Sequence, residues 1–414
     1  MAAIAVVKSA FAHDMSNLTT EASDANSDDQ FWTRVRSQFL LPKDLGYMNT
    51  GRLGPTPKPV LDALEEYWRL MAVSPSENTE ILESRIETVR RKAAEFIGAS
   101  PDEIAITRNA TEGLAVVIKG LDLKRGDEIV YSFHEHRSNI EPWRLQAMRY
   151  GVVLKEVEFG IPPQSPEEIL NRFSDTIGPR TRAITFAHCT TYTGCLLPIK
   201  ELADLAKTKG VLCLVDGAHP LGMIRLNLRE LGVDAFATTC HKWLCSPAGA
   251  GLLFVREGLI DRIWPNIVAH GWDTVKGARK YDRFSRRPWP QVVALEDALD
   301  FQLTLGRDRI EKRVRDLATY LRRGLVENPS VKLFTSDDPR MGVGLTTLGL
   351  NGRSGDEIRD HLLKRHSIWV PRLRAPAGAD RSDIDGIRVS THYFNNKGEI
   401  DRLLEGLREF AGRQ

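Results

Sequence analysis

Residues 211–256 read VLCLVDGAHPLGMIRLNLRELGVDAFATTCHKWLCSPAGAGLLFVR. The opening run, Val211-Leu212-Cys213-Leu214-Val215, is continuously apolar, which predicts a fully buried strand rather than one with a wet face. An acid, Asp216, stands at its carboxyl end, followed by Gly217, Ala218 and His219. A second run over 234–238 leads into Thr239-Cys240-His241-Lys242, and Gly249-Ala250-Gly251 turns the chain into a third run over 252–255. An acid and a lysine thus fall at the ends of adjacent strands, where ligands of open α/β sheets gather. A lysine in such a place is costly unless it is neutralised, paired or used covalently. For an isolated His-Lys pair the plain reading is a lysine with its head in solvent. The strand-end acid and the small-residue lead-in to the next strand weigh against that.

Length and composition set the frame. A chain of 414 residues suggests two to three domains, and 42% hydrophobic with 27% charged residues is ordinary for a globular protein. A net charge of +2, with the charges scattered, offers no electrostatic basis for nucleic-acid binding. No apolar stretch approaches the length of a membrane span, so no membrane partner is expected. The cysteines (Cys189, Cys195, Cys213, Cys240 and Cys245) are odd in number and form no CxxC, which argues against a disulfide framework or a zinc knuckle. His134 and His136 have no further ligand cluster beside them, so no metal is expected. Residues 1–12 carry an apolar run ending in Ala10-Phe11-Ala12 but lack a basic leading region. They read as a disordered tail or as the back half of an export signal, and 16–29 as a flexible leader. The expected location is cytoplasmic, or periplasmic if the export reading holds.

Along the rest of the chain, apolar spacing predicts helices over 31–41, 59–70, 77–97, 200–209, 293–305 and 309–328. Strands are predicted over 104–106, 128–131 and 182–186, and the loop 47–57 is marked by its glycines and prolines. Ala110, Thr111 and Glu112 follow the first of these strands at a helix start, where free amides and the helix dipole attract anions. A threonine that merely caps the helix is the plainer alternative.

DGAH, a second strand, then T-x-HKW and GAG before LLFV resemble the class V aminotransferase group of pyridoxal-phosphate enzymes (fold type I). Within that group the resemblance is to the isopenicillin N epimerase-like branch, with cysteine desulfurases more distant. It covers nearly the whole chain from about Phe31. The resemblance implies an α/β fold: a large domain with a mostly parallel seven-stranded sheet flanked by helices, plus a small α+β domain. The expected division is a leader at 1–30, an N-terminal segment at 31–75 serving the small domain and an active-site lid, a large cofactor domain at 76–295 and a small domain at 296–414. A homodimer is expected because sites of this family lie at the subunit interface.

The resemblance also assigns roles. Lys242 is to carry the Schiff base to pyridoxal 5'-phosphate, and Asp216 to pair with the pyridinium nitrogen so that the ring acts as an electron sink. The phosphate is expected at Ala110 and Thr111. His136, in an EHRSN-x-x-PW stretch resembling EHHxN-x-x-PW, is to stack on the ring. His219, Thr239 and His241 are further expected cofactor contacts, and Thr191 (or Thr190) stands where desulfurases carry an asparagine. Asn49 and Thr50 are expected pocket-wall residues, with Gly51 beside them and Arg52 an extra charge. Arg286 and Arg287 take the place of a Gly-Thr pair that reaches the partner's phosphate across the dimer, and a guanidinium is the better clamp. Arg388 is to grip the substrate α-carboxylate, with Arg372 and Arg374 as specificity residues.

The loop 370–376 has no cysteine, which disfavours desulfurases of the persulfide type. The implied activity is transformation of an α-amino acid by Cα deprotonation, of aminotransferase or epimerase type. The alternatives are a C–S β-lyase or oxidative deaminase, or a binding module that has kept the fold. Arg52, Arg287, Arg372, Arg374 and Arg388 together suit a substrate with an additional acid group.

Overall fold

The runs 211–215, 234–238 and 252–255 become neighbouring strands in the computed structural model, which describes residues 2–18, 25–374 and 384–412. After the short strand β1 (Gly46–Tyr47) come β2 (Ile104–Thr107), β3 (Glu128–Ser132), β4 (Val153–Val157) and β5 (Thr181–Ala187). Then follow β6 (Leu212–Asp216), β7 (Ala235–Thr239) and β8 (Gly251–Val255). β2 to β8 form one seven-stranded sheet in the order β2-β8-β7-β6-β5-β3-β4. β8 runs antiparallel to both neighbours, and the remaining pairings are parallel. β2, β7 and β8 are buried along their whole length, as continuous apolar strands covered on both faces should be. The helix Ala110–Gly120 packs on β7 and β8, and Ile199–Lys209 packs on β6.

The second sheet uses β9 (Val331–Leu333) and β10 (Leu345–Leu350), then, beyond β11 (Ile368–Trp369), β12 (Arg372–Arg374) and β13 (Asp385–Ser390). Its order is β12-β13-β10-β9 and all its pairings are antiparallel. β11 pairs in parallel with β1, so the segment around residue 46 is stitched to the C-terminal part of the chain. Met48 joins the core formed there by Leu317, Leu348, Ile387 and Ile400. The helix Trp289–Leu305 links the two sheets and packs against Lys58–Val73 and Ile86–Ile97.

Two expectations are corrected. The described part of the leader is not disordered: Ala2–Met15 is a helix with Ile4, Val7, Phe11 and Met15 buried. Those residues recur every three to four positions, and Lys8 pins the helix by an ion pair with buried Asp297 at 2.6 Å. A second helix, Ala25–Ser37, replaces the end of the flexible stretch because Phe31, Trp32 and Val35 bury one face. The helix expected over 77–97 is two, Pro75–Ser84 and Ile86–Ile97, broken at Arg85, whose guanidinium reaches Glu296 at 2.7 Å. Among the described residues no helix is long and apolar enough to cross a membrane. All five cysteines are buried and free.

Candidate active site

β6 and β7 end side by side, with Asp216 in register with Ala237, so the acid and the Thr239–Lys242 turn meet at one edge of the sheet. There they face a cavity of ≈ 420 Å³. Lys242 is half-buried at the cavity wall, and desolvation pushes its amine down to about 8, against the opposing pull of Asp216. Burial raises Asp216, with the Lys242 charge and the Ala218 amide at 2.9 Å working the other way. The lysine turn is clamped from the far side of the cavity. Gly54 donates its amide to the His241 carbonyl at 2.8 Å, and a Cβ on Gly54 would fall 2.0 Å from the Lys242 carbonyl.

One end of the cavity is a helix N-terminus. Asn109, not Thr111, caps the helix Ala110–Gly120 by accepting the Glu112 amide at 3.0 Å, which leaves the Thr111 hydroxyl for other use. The Ala110 amide donates to Thr239 Oγ1 at 3.0 Å, and Thr111 Oγ1 donates to Ser138 Oγ at 3.0 Å. Two hydroxyls thus stand at the positive end of a helix dipole, a setting suited to a phosphate.

Three histidines line the walls. His136 accepts the Ser138 amide on Nδ1 at 3.1 Å, and burial lowers its basicity. His219 receives the Trp243 indole N–H on Nδ1 at 3.4 Å, and its Nε2 lies 3.3 Å from Thr191 Oγ1. An indole only donates, so the His219 proton sits on Nε2 and is given to Thr191. The Thr191 hydroxyl proton is thereby left to donate elsewhere. Burial holds His219 well below its usual range, which keeps the relay neutral. His241 is pushed down to about 4, and its Nδ1 is buried with no hydrogen-bond partner among the described residues. His134 lies outside the cavity, stacked on Phe159 at 4.4 Å and bonded to Thr193 at 3.0 Å.

The other end is basic. Arg388 is buried, and desolvation drives it down to about 10. Its Nη1 lies 3.5 Å from the Thr191 carbonyl, its Nε has no partner, and no carboxylate among the described residues pairs with it. Arg372 also lines the cavity but is held by Asp356, with Asp385 at 3.8 Å.

Not every expected residue reaches the cavity. Asn49 and Thr50 are buried behind Gly51 and Arg52, which do line it, and their Oδ1 and Oγ1 have no partner among the described residues. Within the chain Arg287 is not a cavity wall: it donates to the Ile106 carbonyl at 2.9 Å and lies against the rings of Phe284 and Trp289. Its guanidinium carbon lies 5.4 and 5.6 Å from the two ring centroids, with the Nη2 bond directed to the end of β2. The Arg374 side chain and residues 375–376 lie outside the described residues. Conversely, Asn109, Ser138 and Cys189 line the cavity without having been assigned a role from sequence. Asn109 had a signal, since Asn followed three residues on by Glu is a helix start. Cys189 had none. Glu135 was also missed; burial pushes it up to about 8, and it ties Ser132, Asn139 and the Ala187 amide together behind the sheet edge.

A seven-stranded sheet with a lysine and an acid at its edge, closed by a second, antiparallel sheet, defines a class-V aminotransferase fold: the sequence model "Aminotransferase class-V" matches residues 54–403, and the chain belongs to that family. It is similar to the isopenicillin N epimerase of Amycolatopsis lactamdurans, 31% identical over 401 residues that cover 92% of this chain and 98% of that one. It is also similar to a probable cysteine desulfurase of Methanothermobacter thermautotrophicus, 27% identical over 404 residues, covering 91% of this chain and 98% of the relative. Among solved structures, the apo cysteine desulfurase of Thermococcus onnurineus superposes with a TM-score of 0.83 at 25% identity, covering 91% of this chain and 97% of that one. A lysine-to-alanine variant of C-DES, with glycine covalently linked to its PLP cofactor, gives 0.81 at 26% identity, covering 90% and 99%. The fold is therefore fold type I of the pyridoxal-phosphate enzymes.

Proposed function

We propose that this chain is a pyridoxal-phosphate enzyme that removes the Cα proton of an α-amino acid, with an outcome of epimerase or aminotransferase type. The residues present fit the cofactor. Lys242 offers an amine with the basicity of a nucleophile, Asp216 a carboxylate for a ring nitrogen, His136 a flat face, and Thr111 with Ser138 the helix end for a phosphate. When bound, the cofactor supplies a covalent attachment for the amine and a sink for the electrons left at Cα. The single observation that carries the reading is that Lys242 and the unpaired, buried Arg388 face one cavity. Arg388 orients the substrate by its carboxylate, a charge-assisted contact that relieves the cost of its own burial. With the substrate held there, Lys242 would take the Cα proton as a neutral amine; an epimerase outcome then needs a proton delivered to the opposite face of Cα, and an aminotransferase outcome needs it delivered to a different atom.

A desulfurase route through a protein thiolate has no support in the residues present. Cys189 is the cysteine on the cavity wall, and burial raises its pKa far above the usual thiol range. A C–S β-lyase, which needs no such thiolate, is the second reading.

The test is spectroscopic. Purified protein reconstituted with pyridoxal phosphate should show a lysine-linked chromophore that Lys242→Ala abolishes. Individual amino acids should then perturb it, with an inverted centre, a keto acid or a released thiol naming the outcome. Absence of any chromophore after reconstitution would sink the reading.

A further inference from the structure

The five arginines that suggest an acidic substrate do not behave alike. Arg287 is turned away to a backbone carbonyl, Arg372 already holds Asp356 and Asp385, and the Arg374 side chain lies outside the described residues. Arg108, beside the phosphate end, is held by Glu112 at 2.8 Å. That leaves Arg388 and Arg52 on the cavity wall without a carboxylate partner among the described residues.

Arg52 is exposed at the mouth, yet its backbone is fixed. The Arg52 amide closes a turn on the Asn49 carbonyl at 2.9 Å, and Gly54 is tied to the lysine turn through His241. Gly51 donates to Ser390 Oγ at 3.0 Å, and a Cβ there would lie 3.2 Å from Arg388 Nη2. The turn therefore carries Arg52 beside Arg388, close enough for the two like charges to repel. One α-carboxylate answers one guanidinium. Arg52, solvated at the mouth and held by no carboxylate among the described residues, is free to take a second anion of the ligand, and the cofactor phosphate has its own place at the helix end.

We infer that the substrate, on the reading proposed above, is an α-amino acid whose side chain ends in a second carboxylate, and that Arg52 reads that group. The substrate class is thus acidic or dicarboxylate amino acids, with Arg388 and Arg52 each taking one carboxylate.

The test uses the reconstituted holoenzyme, whose chromophore is checked first. If the chromophore never forms, the cofactor reading itself has failed, and this inference with it. With the chromophore present, titration calorimetry compares succinate with butyrate, glutarate with valerate and adipate with hexanoate. At one chain length the dicarboxylate should bind more tightly by about tenfold or more, the range of a hydrogen-bonded charge pair. Arg52→Gln should erase that preference while leaving the monocarboxylate affinity in place, and Arg52→Lys should keep part of it. Equal binding of diacids and monoacids at every length overturns the proposal, as does a preference that survives Arg52→Gln unchanged.

Discussion

The two ends of the cavity are built on opposite principles. At the helix end the polar groups are already partnered: Ala110 on Thr239, Glu112 on Asn109, Thr111 on Ser138. At the arginine end the buried Arg388 Nε has no partner among the described residues, and Asn49 Oδ1 and Thr50 Oγ1 are likewise unpartnered there, behind the cavity wall. The first end comes from the strand ends and helix starts of one sheet, where capping and register satisfy the backbone locally. The second is assembled from residues 49–54, 371–373 and 388–390, brought together by β1 pairing with β11, by β12 pairing with β13 and by the Gly51–Ser390 bond. Native proteins rarely leave buried polar groups unmade, so an end that does is one completed by its ligand. The helix end is a finished mount. The arginine end waits.

The sharpest test of that contrast lies between the two ends, at Lys242. Lys242→Ala should lower turnover on the order of 10²–10⁴-fold, the span expected for loss of a positioned acid–base group. Because burial holds the amine at about 8 instead of 10.5, the apo protein should couple to pyridoxal phosphate with a rate that rises through pH 8 and then levels off. A midpoint near 10 in stopped-flow reconstitution would mean that Asp216 outweighs burial. Next comes Arg388→Met. It should cut kcat/KM for amino acids by roughly 10- to 100-fold, through KM, as the carboxylate contact is lost. Thermal unfolding of the same apo variant should show unchanged or higher stability, because an uncompensated buried cation has been removed. A variant less stable than the parent, with kcat/KM intact, would break the contrast: Arg388 would then be a satisfied structural residue.

The difference between the ends also explains what could be read from the chain beforehand. The Val211–Arg256 stretch announces three buried strands, an acid and a lysine within 46 residues, so the sheet edge and the lysine were legible from local pattern. Likewise the apolar spacing Ile4, Val7, Phe11 and Met15 was present, although the small-residue ending of the run drew attention to an export signal instead. What could not be read was side-chain direction. Arg287 and Arg372 look alike in sequence, yet one is bonded to the Ile106 carbonyl and the other is claimed by Asp356. Those partners lie up to 181 residues away, and no local rule predicts them. Nor does any spacing mark Cys189 as a wall residue; it follows from β5 ending beside β6.

At the finished end a smaller effect is expected. Thr239→Val removes the acceptor of the Ala110 amide and should cost about 1–3 kcal/mol in unfolding free energy, together with weaker cofactor retention on dialysis. At the arginine end, by contrast, Asn49→Ala removes an oxygen with no partner and should leave apo stability nearly unchanged.

A small shift in a titration midpoint is the most specific expected effect, because it tests the proton relay joining the two ends. Trp243 can only donate to His219, which fixes the ring proton on Nε2 and directs the Thr191 hydroxyl proton outward. Thr191 also offers its carbonyl to Arg388, so one residue faces both ends. If its hydroxyl donates to the bound cofactor, Thr191→Val should shift the pH midpoint of the chromophore by about one unit or less, the worth of one hydrogen bond. Thr191→Ser should restore it. His219→Phe, which breaks the relay but keeps a ring in the buried site, should move the midpoint in the same direction by a smaller amount. A shift in Thr191→Val with none in His219→Phe would place the donor at Thr191 alone and leave His219 as wall.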